Sequence, residues 1–102
     1  MSKIRTIIKR PDESTGHVTW ISNTLENLQN IVGGYIEQVT FGDMIILCDE
    51  DGRIKKKPDN CTIGNVSFVG TIIAVGSDGD EYSHVPIDLT GWKFLLSKEA
   101  KK

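Results

Sequence analysis

Ser22-Asn23-Thr24-Leu25-Glu26-Asn27-Leu28-Gln29-Asn30-Ile31-Val32-Gly33-Gly34-Tyr35-Ile36-Glu37-Gln38-Val39-Thr40-Phe41 is the stretch from which the fold is read. Ile21, Leu25, Leu28, Ile31 and Val32 recur at spacings of three and four, which line one face of a helix over about 22–33. Asn23 followed by Glu26 resembles a capping box, and Gly33-Gly34 supplies the left-handed stop. The chain then alternates as a strand, with Tyr35, Glu37, Val39 and Phe41 on one face and Ile36, Gln38 and Thr40 on the other. Gly42-Asp43 has glycine first, as a type II′ hairpin turn requires, so Met44–Cys48 is expected to return beside it.

Outward from this core, Lys3–Lys9 reads as a first strand ended by Pro11, and His17–Ile21 leads into the helix with Trp20 expected in the core. Asp51-Gly52 is read as a type I′ turn opening a further strand over about Arg53–Lys56. The neighbouring acids do not have the alternate spacing of a calcium loop. Lys55-Lys56-Lys57 is read as a solvated edge, in preference to a phosphate patch. Asn60–Phe68 is read as loop with a short helical turn. Gly70–Gly76 is an apolar run of the kind that forms a strand covered on both faces, and Tyr82–Val85 a short strand before Pro86. Asp88 or Thr90 caps a C-terminal helix over about 89–99. Leu89, Trp92, Leu95 and Leu96 share one of its faces, and Lys98, Lys101 and Lys102 sit at its negative end. The expectation is one α+β domain over residues 1–102, a mostly antiparallel sheet of about five strands with two helices.

Composition narrows the function. With 38% hydrophobic and 25% charged residues the chain reads as a globular domain. A net charge of −2 gives no electrostatic footprint for nucleic acid, nor the dense acidic face of a DNA mimic. No apolar run reaches the ~20 residues of a membrane span, and Met1-Ser2-Lys3 opens no signal-peptide core. Cys48 and Cys61 read as reduced thiols of a cytosol.

Three blocks carry a family resemblance. The first is Arg10-Pro11 with Ile21, Asn23-Thr24-Leu25-Glu26, Leu28-Gln29 and Ile31-Val32-Gly33-Gly34-Tyr35-Ile36-Glu37. The second runs Glu50-Asp51-Gly52-Arg53-Ile54-Lys55-Lys56-Lys57-Pro58-Asp59-Asn60, and the third is the glycine-opened strand Gly70–Val75. Over about residues 3–90 these resemble the family catalogued as domain of unknown function 3846. Arg53 stands where lysine is usual, Lys57 replaces an apolar residue, and Trp92–Lys102 is an extension. The resemblance implies an origin in phages, plasmids or other mobile elements and work in a bacterial cytoplasm. It implies no catalytic residue.

Among individual residues, Glu37 is a carboxylate close to a core if its strand face packs on the helix. It then pairs with Arg5, Arg10 or Arg53, splits the faces at the sheet edge, or faces a ligand. Gln29 flanks the apolar stripe and either holds backbone at Gly33-Gly34, holds the loop at Asn60, or contacts a ligand. If Gln29, Tyr35 and Glu37 converge, their amide, phenol and carboxylate suit a base or ribose edge. Lys3, Arg5, Arg10, Arg53 and Lys55–Lys57 would then meet phosphates. The candidate ligand-binding set is Gln29, Tyr35, Glu37, Arg10, Arg53 and Asn60. His17, His84, Cys48 and Cys61 lack metal-ligand spacing, and no nucleophile or phosphate-cradle motif occurs.

The reading is therefore a non-enzymatic protein without cofactor or metal, made by a phage or mobile element. Its expected role is counter-defence in the host cytoplasm, capturing a small nucleotide signal, with a homo-oligomer as its assembly. The alternatives are an inhibitor that blocks a host defence protein through a sheet edge or the Trp92–Leu96 helix face, and an accessory factor in phage replication or assembly.

Overall fold

The computed structural model describes residues 3–100, apart from the side chains of 98–100. In chain order the elements are β1 (Lys3–Lys9), β2 (His17–Ser22), α1 (Leu25–Val32), β3 (Ile36–Phe41), β4 (Met44–Asp49), β5 (Asp59–Ile63), β6 (Val66–Val69), β7 (Ile72–Asp78), β8 (Glu81–Ser83) and α2 (Leu89–Ala100). The sheet runs β2-β1-β7-β4-β3 with β8 also on β7, while β5 and β6 form a separate hairpin. Every strand pair among the described residues is antiparallel. The α+β class read from the sequence holds.

Three layers result. Ile45, Leu47, Ile73 and Val75 point to one face, where they pack with Leu28 and Val32 of α1. Ile46, Cys48, Ile72 and Ala74 point to the other, where they meet Trp92 of α2 and Phe68 of the β5–β6 hairpin. Covered on both sides, β4 and β7 carry near-continuous apolar runs, as the Gly70–Gly76 reading requires. The β3–β4 turn is also as read: Gly42 has φ +64°, and Phe41 pairs with Met44. In α2, Asp88 is the cap, its Oδ1 accepting from the Gly91 amide at 2.8 Å. The Lys101 and Lys102 part of the basic end lies outside the described residues, as does the Lys98 side chain.

Several expectations are corrected. Helix α1 starts at Leu25 with Thr24 as its cap, its Oγ1 accepting from the Asn27 amide at 3.2 Å. Asn23 instead donates to the Tyr82 carbonyl at 2.9 Å. Ile21 belongs to β2, opposite Ile4. A spacing of four residues fits strand and helix alike, which is how Ile21 joined the helical stripe. Leu25 is exposed, and so is Trp20, at 56%. Trp20 lies on the edge strand with its ring edge-on to His84. The buried indole is Trp92, at 0% exposure, its Nε1 donating to the Thr15 carbonyl at 2.6 Å.

Residues 50–56 form successive turns, not a strand, through bonds such as Lys55 N to Asp51 O at 2.9 Å and Lys57 N to Gly52 O at 3.0 Å. The glycine-containing turn with two left-handed residues is Gly64-Asn65, at φ +54° and +72°, joining β5 to β6 where a loop was read. Its glycine precedes its asparagine, the reverse of the order that signals such turns most strongly.

Candidate functional site

The helix exit is where the sequence blocks meet. Gly33 takes φ +84°, and its amide and that of Gly34 both donate to the Gln29 carbonyl, at 2.8 and 3.1 Å. Helix α1 carries no basic residue in its last turn. The cations come from far along the chain. Lys57 Nζ donates to the Val32 carbonyl at 2.8 Å, and Lys55 Nζ to the Gly33 carbonyl at 3.1 Å.

Both ammonium groups also clasp Asp49 Oδ2, Lys55 at 2.8 Å and Lys57 at 2.7 Å. The Asp49 side chain is 1% exposed and accepts a further bond from the Asp51 amide at 2.9 Å. Burial pushes its carboxyl upward, and the hydrogen bonds from Lys55, Lys57 and Asp51 outweigh it, holding the group at about 2. Lys55 and Lys57 are thus helix-end and carboxylate partners, correcting their reading as a solvated edge.

Glycine is required where this cluster is tightest. A Cβ on Gly34 would lie 2.5 Å from Asp49 Oδ1, and one on Gly70 would meet the Lys57 stem at 2.8 Å. Gly33-Gly34, Lys57 before Pro58, and Gly70 therefore lie around one buried carboxylate.

Beside this clasp lies an open cleft of about 380 Å³ lined by Gln29, Asn30, Gly33, Gly34, Tyr35, Asp51 and Lys55. Tyr35 is 70% exposed. The side chains of Gln29, Asn30 and Tyr35 make no hydrogen bonds within the described residues. The cleft thus pairs an aromatic ring with free amides, beside one carboxylate and one ammonium.

Glu37 lies elsewhere. It pairs with Cys48 and so points to the hairpin side of the sheet, while Ile36 and Asp49 point to the α1 side. It is exposed, and it lines a smaller pocket of about 170 Å³ with Val39, Arg53, Ile54 and Phe68 among its neighbours. Gln29 and Tyr35 come together, but Glu37 is separated from them by the sheet.

The remaining candidates are dispersed. Arg53 donates to the Ser67 carbonyl. Arg10 stands 4.0 Å from Glu13. Asn60 is a clamp: its Nδ2 donates to the carbonyls of Lys9 at 2.9 Å and Gly70 at 2.7 Å, and its Oδ1 accepts from Lys9 Nζ at 2.8 Å. Lys9 is only 4% exposed, so this amide is the principal polar contact of a buried ammonium. Arg5 is held by the carbonyls of Val85 and Ile87 at 2.8 and 3.4 Å. His17 bonds Glu13, and His84 accepts from the Arg5 amide at 3.0 Å, so neither faces the cysteines as a ligand pair.

Sequence reasoning missed Asn30 and Asp51 as cleft residues and Asp49 beneath them, and it named Lys55 and Lys57 as phosphate contacts, not as partners of that carboxylate. The available signal was a helix with no cation of its own in the last turn, followed by a lysine run.

A double-wrapped α+β sheet domain with an open polar cleft beside a helix exit is the class that fold and site define. The chain matches the family model described as "Domain of unknown function (DUF3846)" over residues 4–94, and it belongs to that family. No curated protein and no solved structure matches it. No helix of the described residues is long and apolar enough to cross a membrane.

Proposed function

We propose that the protein is a non-enzymatic binding protein that captures a small nucleotide signal in the cleft of Tyr35. It acts in the cytoplasm of a bacterial host as a counter-defence factor of a phage or mobile element. The observation that carries this reading is Tyr35: a 70% exposed ring beside two free amides, on a backbone fixed by the Asp49 clasp. An aromatic ring exposed to water suits base stacking, and amides suit the donor and acceptor edge of a base. Capture needs affinity and abundance, with no catalytic group. The mobile-element setting follows from the resemblance of the three sequence blocks.

The test is thermal unfolding against a panel of nucleotides and cyclic dinucleotides, with Tyr35→Ala as the control. A Tm rise of several degrees with one compound, lost in Tyr35→Ala, supports capture by mass action on the native state. Silence across the panel overturns it.

One observation favours a second reading, blockade of a host protein through a sheet edge. Strand β2 is an edge strand without a charged residue, and it leaves Val18 and Trp20 exposed. The Trp92–Leu96 face is not available for this role, since Trp92 is fully buried and Leu95 and Leu96 pack on the core. Recovery of a host protein that Trp20→Lys releases would favour this reading over capture. The homo-oligomer belongs to the capture proposal and is tested by sedimentation of the full chain.

A further inference from the structure

We infer that the cleft recognises the base and sugar of its ligand and leaves the phosphates unheld; the inference rests on the capture reading above and specifies its chemistry. The charges at the cleft decide this. Of the side chains lining it, Asp51 is an anion and Lys55 a cation. Lys55 already spends two of its three protons on Asp49 Oδ2 and the Gly33 carbonyl. Lys57, the next cation inward, is committed to the same carboxylate and to the Val32 carbonyl. Asp49 and Asp51 balance Lys55 and Lys57, and the carbonyl end of α1 adds the negative pole of the helix dipole. A phosphate entering here meets one cation already paired with a buried carboxylate and faces the wrong end of a helix.

The chain's three arginines do not change the balance. Arg5 is bound to the Val85 and Ile87 carbonyls, and Arg10 stands by Glu13. Arg53 lines other pockets, on the hairpin side of the sheet. The expected contacts from Lys3, Arg5, Arg10, Arg53 and Lys55–Lys57 to phosphates therefore have no common focus at the cleft. Apart from Asp51 and Lys55, what the cleft presents is uncharged: the Tyr35 ring, the Gln29 and Asn30 amides, and the glycine backbone. Asp51 adds an acceptor for a ribose hydroxyl or an exocyclic amine.

The experiment is calorimetric titration of the full chain with the four ribonucleosides and their 5′-monophosphates, at about 0.05 M and about 0.5 M salt. We expect the nucleoside of the preferred base to bind within about fivefold of its monophosphate, with a similarly small change between the two salts. Tyr35→Ala, whose ring is exposed and outside the core, abolishes both. A monophosphate that binds more than about fivefold tighter than its nucleoside, or an affinity that falls more than about fivefold in high salt, overturns the inference and leaves capture standing. Failure of every nucleoside, monophosphate and cyclic dinucleotide to bind overturns both, as does binding that Tyr35→Ala leaves unchanged.

Discussion

Asp49 and Lys57 are joined by a 2.7 Å ion pair that closes the end of a helix to which neither belongs. The carboxylate is 1% exposed, so its charge depends on the two lysines and the Asp51 amide. Taking away one member strands the rest. Asp49→Ala is expected to cost about 3–5 kcal/mol, read as a lower urea midpoint. Asp49→Leu, which fills the space but leaves the lysines to water, should cost less than Asp49→Ala. Equal losses would mean that volume, not charge, is what the site supplies.

The same carboxyl sets a pH dependence. Asp49 is held at about 2 when folded, against an ordinary value of 3.8. Between these values the unfolded chain binds the extra proton and the folded one does not. Its contribution, on the order of 2 kcal/mol, is therefore complete above about pH 4 and is lost as pH falls through 2. Urea midpoints measured downward from neutral pH should drop in that window in the parent. In Asp49→Leu the drop should be smaller.

Gly34 and Gly79 offer a matched pair. A methyl on Gly34 would intrude to 2.5 Å from Asp49 Oδ1, whereas one on Gly79 meets nothing within 4 Å but carries φ +65°. Gly34→Ala should lose about 1–3 kcal/mol through the displaced carboxylate, and the loss should shrink in an Asp49→Ala background, which removes the atoms the methyl meets. Gly79→Ala should cost about 1–2 kcal/mol for its left-handed backbone alone, unaffected by that background. The coupling, measured as a double-mutant cycle, is the deciding quantity.

Asn60 is expected to matter for stability more than for ligand affinity. Asn60→Ala removes the 2.8 Å acceptor from a buried Lys9 and the donor to two carbonyls. A loss of about 2–3 kcal/mol is expected in chemical unfolding. Because Asn60 does not line the Tyr35 cleft, ligand affinity in the folded fraction should be unchanged.

The cysteines should be quiet in the native protein. Burial, with the nearby Glu37 and Asp49 charges, pushes the Cys48 thiol up to about 11, and burial raises Cys61 as well. Cys48, buried in β4, should react with an aromatic disulfide reagent at neutral pH only at the rate of unfolding, and the half-buried Cys61 more slowly than an exposed thiol. Rapid labelling of Cys48 in native buffer would contradict the packing of β4.

Much of the fold was legible because its signals were local. The glycine stop at Gly33, the Gly42-Asp43 turn, the apolar β7 run and the Asp88 cap each follow from a few neighbouring residues. The misreadings came from choices that local pattern leaves undecided. Which face of β3 meets α1 is a one-residue question of phase, and the structure turns Ile36 inward and Glu37 away. That phase separates Glu37 from Gln29 and Tyr35. Trp20 and Trp92 look alike in sequence, but only Trp92 lies under a covering layer. The Asp49 clasp joins residues six and eight positions apart through side-chain tips, a pairing with no periodicity to reveal it.

The Val32–Lys57 bond spans twenty-five positions, and this sets an order of events during synthesis. Helix α1 has eight residues, well short of the ~12–15 at which a free helix becomes even marginally stable in water. A nascent chain that has emerged only to β4 possesses the coil and the acid, yet lacks the lysines that lock them together. The helix exit, and the cleft it frames, can therefore become native only after the turns at 50–56 and Lys57 have left the ribosome.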